Sequence, residues 1–324
     1  MRRIVLGLVV LGCGESGGGM DTDASTTAFA SASASASASG AGTTAPSSTT
    51  ATSDDTASSG SGVDASSDGG SSSTGEIPGT AGCGAAAADP TQMWIQHDID
   101  VDGTARQYWV WLPEPYDPDR RYPIVYQLHG CSDGEDRQNN NPPVHEHSGA
   151  DAIVIRGRAV ESCWDSNPAG PDVAFFDALV ADVEATWCAD PARRLVAGYS
   201  SGSFMGHALA CVRGDSIRGV ATIAGGQPGT DCPGQVAALL IHDTDDQTVN
   251  ISASESTRDA LIARNHCDAA MPTTPVDPSP CQAYAGCDDG VPVVWCQTSG
   301  QDHSRQDELS APAFWSFLST LPPT

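Results

Sequence analysis

The segment RLVAGYSSGSFMGHALACV, residues 194–212, constrains the fold more than any other stretch of the chain. Arg194, Leu195, Val196 and Ala197 read as a short buried strand, while Phe204, Met205, Ala208, Leu209 and Val212 recur at helical spacing. Only Gly198-Tyr199-Ser200-Ser201-Gly202 separates the two, so the chain must pass from strand to helix in one sharp turn. A serine on such a turn is lifted clear of the sheet, flanking glycines let neighbouring backbone approach, and the next amide sits at a helix N-terminus. The same spacing recurs at Gly14-Glu15-Ser16-Gly17-Gly18, where no strand or helix pattern surrounds it. Context therefore selects Ser200 as the candidate nucleophile.

The region before that domain has a different character. Met1-Arg2-Arg3, an apolar run and Cys13 form the charged, apolar and small-residue parts of an export signal over residues 1–12. Val10-Leu11-Gly12-Cys13 resembles a bacterial lipobox, which makes Cys13 a candidate lipidation site and a lipid anchor the expected membrane contact. Residues 13–82 are Ser, Ala, Gly, Thr and Asp with almost no large apolar side chain, too little to offset ordering entropy, and read as a disordered tether. Residues 83–324 are one domain's worth of chain, expected to be monomeric. The formal charge of −26 disfavours nucleic acid as a partner. Setting Cys13 aside from the eleven cysteines leaves an even number, without paired C-x-x-C clusters. Structural disulfides in an oxidising compartment are expected, of undetermined connectivity, and neither a metal nor a cofactor is expected.

Around the turn, strand and helix patterns alternate. Residues 94–100 and 106–112 flank an Asp102-Gly103 turn as a hairpin; residues 123–128, 152–155, 219–223, 238–241 and 291–295 read as further strands. A helix pattern runs from an Asp172 N-cap through Trp187, with Pro191 closing that region, and another covers residues 311–318. Such alternation implies an α/β sandwich with a mostly parallel sheet flanked by helices.

A serine nucleophile needs a base and a carboxylate that orients it, and on α/β-hydrolase topology these follow in the order Ser, Asp or Glu, His. LLIHDTDDQTVN places Asp243, Asp245 and Asp246 just after a strand, and the last strand is followed by a single histidine, His303. YQLHGCSDG ends a strand at His129-Gly130, where this topology supplies its second oxyanion donor. That role falls to the backbone N–H of Cys131, paired with the N–H of Ser201. His129 and His242 read as residues that position loops; His97, His145, His147, His207 and His266 have ordinary packed or solvated readings.

GCG at 82–84, YWVWLPEPYDPDRRYPIVYQLHGC, CWDSNPAGPDVAFFDALVADVEATWCADPARRLVAGYSSGSFMGHALACV, LLIHDTDDQTV and VVWCQTSGQDH occur in this order over nearly all of residues 83–322. Together they resemble the secreted feruloyl esterases and related polyhydroxybutyrate-depolymerase-like esterases of the α/β-hydrolase superfamily. The resemblance implies a disulfide-stapled α/β-hydrolase, selects Asp246 among the three aspartates, and gives Trp164 a structural and candidate substrate-lining place. It implies a carboxylesterase acting on a polysaccharide-linked or small ester, with feruloyl or acetyl esters of plant cell-wall xylan first and hydroxyalkanoate oligomers as the competing class. A surface-displayed, catalytically silent binding module is the alternative of another kind.

The triad spacings leave little chain for a large lid, and residues 132–150, 163–171, 226–234 and 250–257 are expected to be loops shaping the pocket. The family pattern has glycine where this chain has Ser203, Asp243 and Gln301. Each puts a side chain where close backbone approach is expected, and Asp243 and Asp245 are expected to raise the pKa of at least one member of the aspartate cluster.

Overall fold

A computed structural model describes residues 80–226 and 232–323. The export signal, Cys13 and the tether up to residue 79 lie outside the described residues.

Among the described residues the domain is built on a ten-stranded sheet. Strands β1 (Trp94–Val101) and β2 (Thr104–Trp111) form the antiparallel hairpin, turning at Asp102 and Gly103, both at positive φ. The centre comprises β3 (Tyr122–Leu128), β4 (Ile153–Gly157), β5 (Ala189–Tyr199), β6 (Gly219–Ile223), β7 (Ala237–Asp243) and, later in the chain, β10 (Val293–Thr298). Two short strands, β8 (Thr274–Pro275) and β9 (Gln282–Ala283), close the far edge. The spatial order is β1-β2-β4-β3-β5-β6-β7-β10-β9-β8, parallel from β4 to β10 and antiparallel at both ends. Every residue of β3, β4, β6 and β7 is buried, because helices cover both faces and no side of these strands meets water.

Helices α2 (Pro171–Thr186), α3 (Ser201–Val212) and α4 (Ser252–Arg264) contribute Phe175, Met205 and Leu261 to one core, with Ile124 and Tyr126 of β3. Helix α5 (Asp307–Ser319) contributes Phe314, Phe317 and Leu318 to the opposite core with Val125 and Leu195. A four-residue turn of helix, α1 (His145–Ser148), lies beside α5. Five disulfides use ten cysteines: Cys83–Cys188, Cys131–Cys163, Cys211–Cys232, Cys267–Cys287 and Cys281–Cys296.

The structure corrects several expectations. Gly170, not Asp172, caps α2; the Asp172 carboxylate is buried between the Arg106 guanidinium, 2.5 Å away, and the Asp165 N–H. An ion pair has taken the carboxylate that a cap would have used. Pro191 does not stand at the helix end, which is Thr186, but lies within β5, beside the register shift at Tyr122 and Ile124. Residues 250–257 are mostly the start of α4, whose inner face uses Ser254 and Thr257 as well as Leu261 and Ile262. Small hydroxyl residues at core positions hid its apolar period.

Candidate functional site

The loops at the C-terminal ends of β3, β5, β7 and β10 converge on one place. β5 ends at Tyr199, α3 begins at Ser201, and Ser200 between them has φ 52° and ψ −117°. Two glycines make this turn sterically feasible: a Cβ on Gly202 would lie 1.8 Å from the Leu128 carbonyl oxygen, and one on Gly198 would lie 2.2 Å from that of Gly202. The Ser200 N–H donates to Ile223 O on β6, fixing the strained residue to the sheet.

His303, on the loop after β10, brings Nε2 to 2.9 Å from Ser200 Oγ, and its Nδ1 lies 2.7 Å from Asp246 Oδ2. Asp246, after β7, receives the N–H groups of Thr248 and Val249 on Oδ1, both at 2.8 Å. Burial is the largest single influence on this carboxyl and pushes its pKa up. The hydrogen bond from His303 and the two backbone N–H groups together outweigh it and hold the group below the usual carboxylate range. The three residues thus form an unbroken hydrogen-bonded chain, and the crowding by neighbouring aspartates does not raise Asp246.

Asp243 and Asp245 turn away to another task. Asp243 Oδ2 accepts from Thr298 Oγ1 at 2.9 Å and from the Gln301 N–H at 3.1 Å, while its Oδ1 accepts the Asp245 N–H. Asp245 Oδ2 accepts the Gly300 N–H at 2.7 Å. The two carboxylates tie the His303 loop to the acid loop. The departure from glycine at Asp243 has become an anchor. Ser203 is also accommodated: it is wholly buried, and Gly225, where a Cβ would lie 2.5 Å from Ser203 Cβ, leaves the room it needs.

The loop after β3 faces Ser200 from the other side. Among the described residues, neither the Cys131 N–H nor the Ser201 N–H has a backbone acceptor. The fully buried His129 donates from Nδ1 to Gly130 O at 2.8 Å and accepts the Ala159 N–H on Nε2 at 3.1 Å, which fixes one neutral tautomer. Burial lowers its pKa to about 4 and keeps it uncharged. Cys131 is also bonded to Cys163, whose neighbour Trp164 gives its N–H to Ser201 Oγ at 2.8 Å. Trp164 is 7% exposed; its indole donates to His129 O at 2.9 Å and stacks on Phe175. That placement makes Trp164 a brace for the loop after β3, in keeping with the structural place expected for it.

Four other histidines stay outside this cluster. His207 bonds Thr222 Oγ1 inside the core, where burial lowers its pKa to about 3; His145 packs on Trp94 and Trp111; His97 and His266 pair with Asp89 and Asp288. His242, read from the sequence as a residue that positions a loop, lies beside the cluster. It sets Nε2 at 2.9 Å from Val249 O and 3.3 Å from Asp246 Oδ2, and Nδ1 at 2.5 Å from Ser254 Oγ. Its position four residues before Asp246 at a strand end was the available signal.

No protein-family model matches the chain. Feruloyl esterase D of Neurospora crassa is 29% identical over 248 residues, covering 68% of this chain and 83% of the relative. Feruloyl esterase C of Emericella nidulans is 27% identical over 66% of this chain and 83% of its own length. A poly(3-hydroxybutyrate) depolymerase of Ralstonia pickettii is 29% identical, over 47% of this chain and 34% of the relative. Among solved structures, an acetyl xylan esterase from Aspergillus awamori superposes with TM-score 0.53 at 15% identity, covering 65% of this chain and 94% of that one. A ferulic acid esterase from Anaeromyces mucronatus gives 0.50 at 19% identity, covering 71% and 90%. These structural likenesses bear on the fold alone.

Proposed function

We propose that this chain, an α/β-hydrolase-fold relative of the feruloyl esterases, is a secreted serine carboxylic ester hydrolase that releases ferulic acid from plant cell-wall xylan. The observation that carries the reading is the Ser200–His303–Asp246 hydrogen-bond chain, with distances of 2.9 and 2.7 Å. Ser200 Oγ attacks the ester carbonyl while His303 Nε2 takes its proton; Asp246 holds the imidazole and offsets its charge. The Cys131 and Ser201 N–H groups stabilise the oxyanion of the tetrahedral intermediate. His303 then gives the proton to the departing alcohol, and water, activated by the same imidazole, cleaves the acyl-enzyme.

The test is hydrolysis of methyl ferulate, an acetylated phenyl ester and a hydroxybutyrate oligomer, each beside Ser200→Ala. Ferulate turnover that falls by about 10⁴-fold or more in the variant supports mechanism and substrate class together. Turnover confined to the acetyl ester or the oligomer moves the assignment to an acetylxylan esterase or a depolymerase. No turnover of any ester, with no labelling of Ser200 by a fluorophosphonate, leaves the silent binding module.

The five disulfides fit an oxidising compartment. Residues 1–12 as an export signal, lipidation at Cys13, a tether over residues 13–82 and a monomeric catalytic domain over residues 83–324 complete the reading. The anchor rests on the sequence pattern alone, since the relatives named above are largely fungal. Incorporation of labelled palmitate that disappears in Cys13→Ala tests it.

A further inference from the structure

We propose that a polar cleft beside the His303 loop binds the carbohydrate that bears the ester, and thereby selects sugar esters over hydroxyalkanoate esters. The inference rests on the esterase reading above and adds the substrate's alcohol half to it. In that chemistry His303 hands its proton to the leaving oxygen, so the alcohol must depart from the His303 side of the site. Whatever the alcohol is attached to continues in that direction.

A cleft of about 630 Å³ flanks that loop where β10 gives way to α5. Gln297, Ser299 and Gln301, from the end of β10 and the loop after it, and Gln306, Asp307 and Glu308, at the start of α5, line it. Amides, hydroxyls and carboxylates donate and accept at many points, as a chain of sugar hydroxyls requires. Pro280 and Leu309 are the only apolar side chains among the lining residues, so a hydroxybutyrate chain gains little from burial there. None of its described lining residues is an arginine, and although Asp307 pairs with Arg305 at 2.8 Å, Glu308 opposes an anionic ligand.

The cleft is coupled to the chemistry through fixed bonds. The Gln306 side-chain amide donates to Thr298 Oγ1, which donates to Asp243, the carboxylate that also holds the Gln301 N–H. Cleft wall, His303 loop and acid loop are therefore joined by one hydrogen-bond network. Two departures from the family pattern meet here: Asp243 anchors the loop, and the Gln301 side chain lines the cleft.

The test compares wild type with Gln297→Ala/Gln301→Ala on methyl ferulate, a feruloylated arabinoxylo-oligosaccharide and a hydroxybutyrate oligomer. Two lost hydrogen bonds at about 0.5–1.5 kcal/mol each predict a roughly five- to hundredfold fall in kcat/KM for the carbohydrate ester, carried mainly by KM. Methyl ferulate and the oligomer should stay within twofold. An equal loss on all esters, or no loss on the carbohydrate ester, overturns the proposal. Titration of unesterified xylohexaose into Ser200→Ala, with and without the two cleft substitutions, separates this proposal from the catalytic one. Binding that the substitutions abolish supports the cleft even if no ester is hydrolysed; no binding in either protein overturns the cleft whatever the activity.

Discussion

His242 Nε2 lies 3.3 Å from Asp246 Oδ2, the oxygen that also receives His303 Nδ1 at 2.7 Å. Because the Val249 carbonyl, 2.9 Å from the same nitrogen, has no proton to give, His242 Nε2 must carry the proton and donate to Val249, which leaves the positive end of that N–H dipole beside the Asp246 carboxylate. That dipole next to the carboxylate makes it a weaker acceptor toward His303. Other ionisable groups close by are Asp243 and Asp245 on the acid loop, Asp302 on the histidine loop and Tyr199 at the end of β5; α4 presents the Ser254 hydroxyl. His242→Asn, which shortens the side chain away from Asp246, should therefore move the acid limb of the kcat/KM profile to higher pH. A profile that keeps its position while kcat and Tm both drop would show that His242 serves only packing.

Asp246 makes a prediction of opposite kind. Its folded-state pKa lies below the ordinary carboxylate value, so it contributes stability above that ordinary value, and the contribution disappears as pH falls through the depressed one. Wild-type Tm should fall steeply below about pH 4, the ordinary carboxylate range. Asp246→Asn should flatten that part of the curve and lower kcat by about 10⁴, as expected when the imidazole loses its orienting carboxylate. Thermal scans between pH 7 and 2 with parallel ester assays check both; an unchanged acid slope removes Asp246 from the account of acid unfolding.

The strand-turn-helix at Ser200 was legible because each of its parts is local: an apolar run, two glycines whose Cβ atoms would strike backbone, and a helical period. Asp246 was not separable from Asp243 and Asp245 by spacing alone, since one turn of loop decides which carboxylate faces His303. Family resemblance chose among them; the structure shows the other two bound to the backbone of the histidine loop. The bracing contact of Trp164 was not legible, because a hydrogen bond from its indole N–H to His129 O joins two loops far apart in the chain. Helix α4 escaped because Ser254 and Thr257 occupy inward positions. Hydroxyls that bond Gly225 O and Ala253 O are satisfied inside, but to a hydropathy pattern they look exposed.

The Cys131–Cys163 disulfide closes a loop of sequence separation 32 and holds the residue whose N–H is assigned to the oxyanion. Cys267–Cys287, with separation 20, staples a region away from the triad loops. Chain-entropy arguments give the two bonds similar stabilisation, about 3–4 kcal/mol each. Replacing both cysteines of either pair by serine should then lower Tm comparably. Only the Cys131–Cys163 replacement should also lower kcat, by about tenfold or more, because a loosened oxyanion donor loses part of an effect worth about 10²–10³. Equal kcat in the two double variants would remove Cys131 from the oxyanion site.

Ser203 Oγ is fully buried and has no hydrogen-bond partner among the described residues, while Gly225 stands so close that any Cβ there would meet the serine. A buried hydroxyl without a partner costs about 1–3 kcal/mol, and removing it leaves the shape of the site intact. Ser203→Ala should therefore leave Tm unchanged or raise it, with kcat/KM on methyl ferulate within about twofold of wild type. Gly225→Ala acts in the reverse direction: its Cβ must displace Ser203 and the Ser200 carbonyl, 2.8 Å away, so both stability and turnover should fall. Combining Gly225→Ala with Ser203→Gly restores the space between the two segments and should recover most of the lost Tm. Recovery of Tm without recovery of turnover would mean that Gly225 serves the Ser200 backbone itself and not only the room for residue 203.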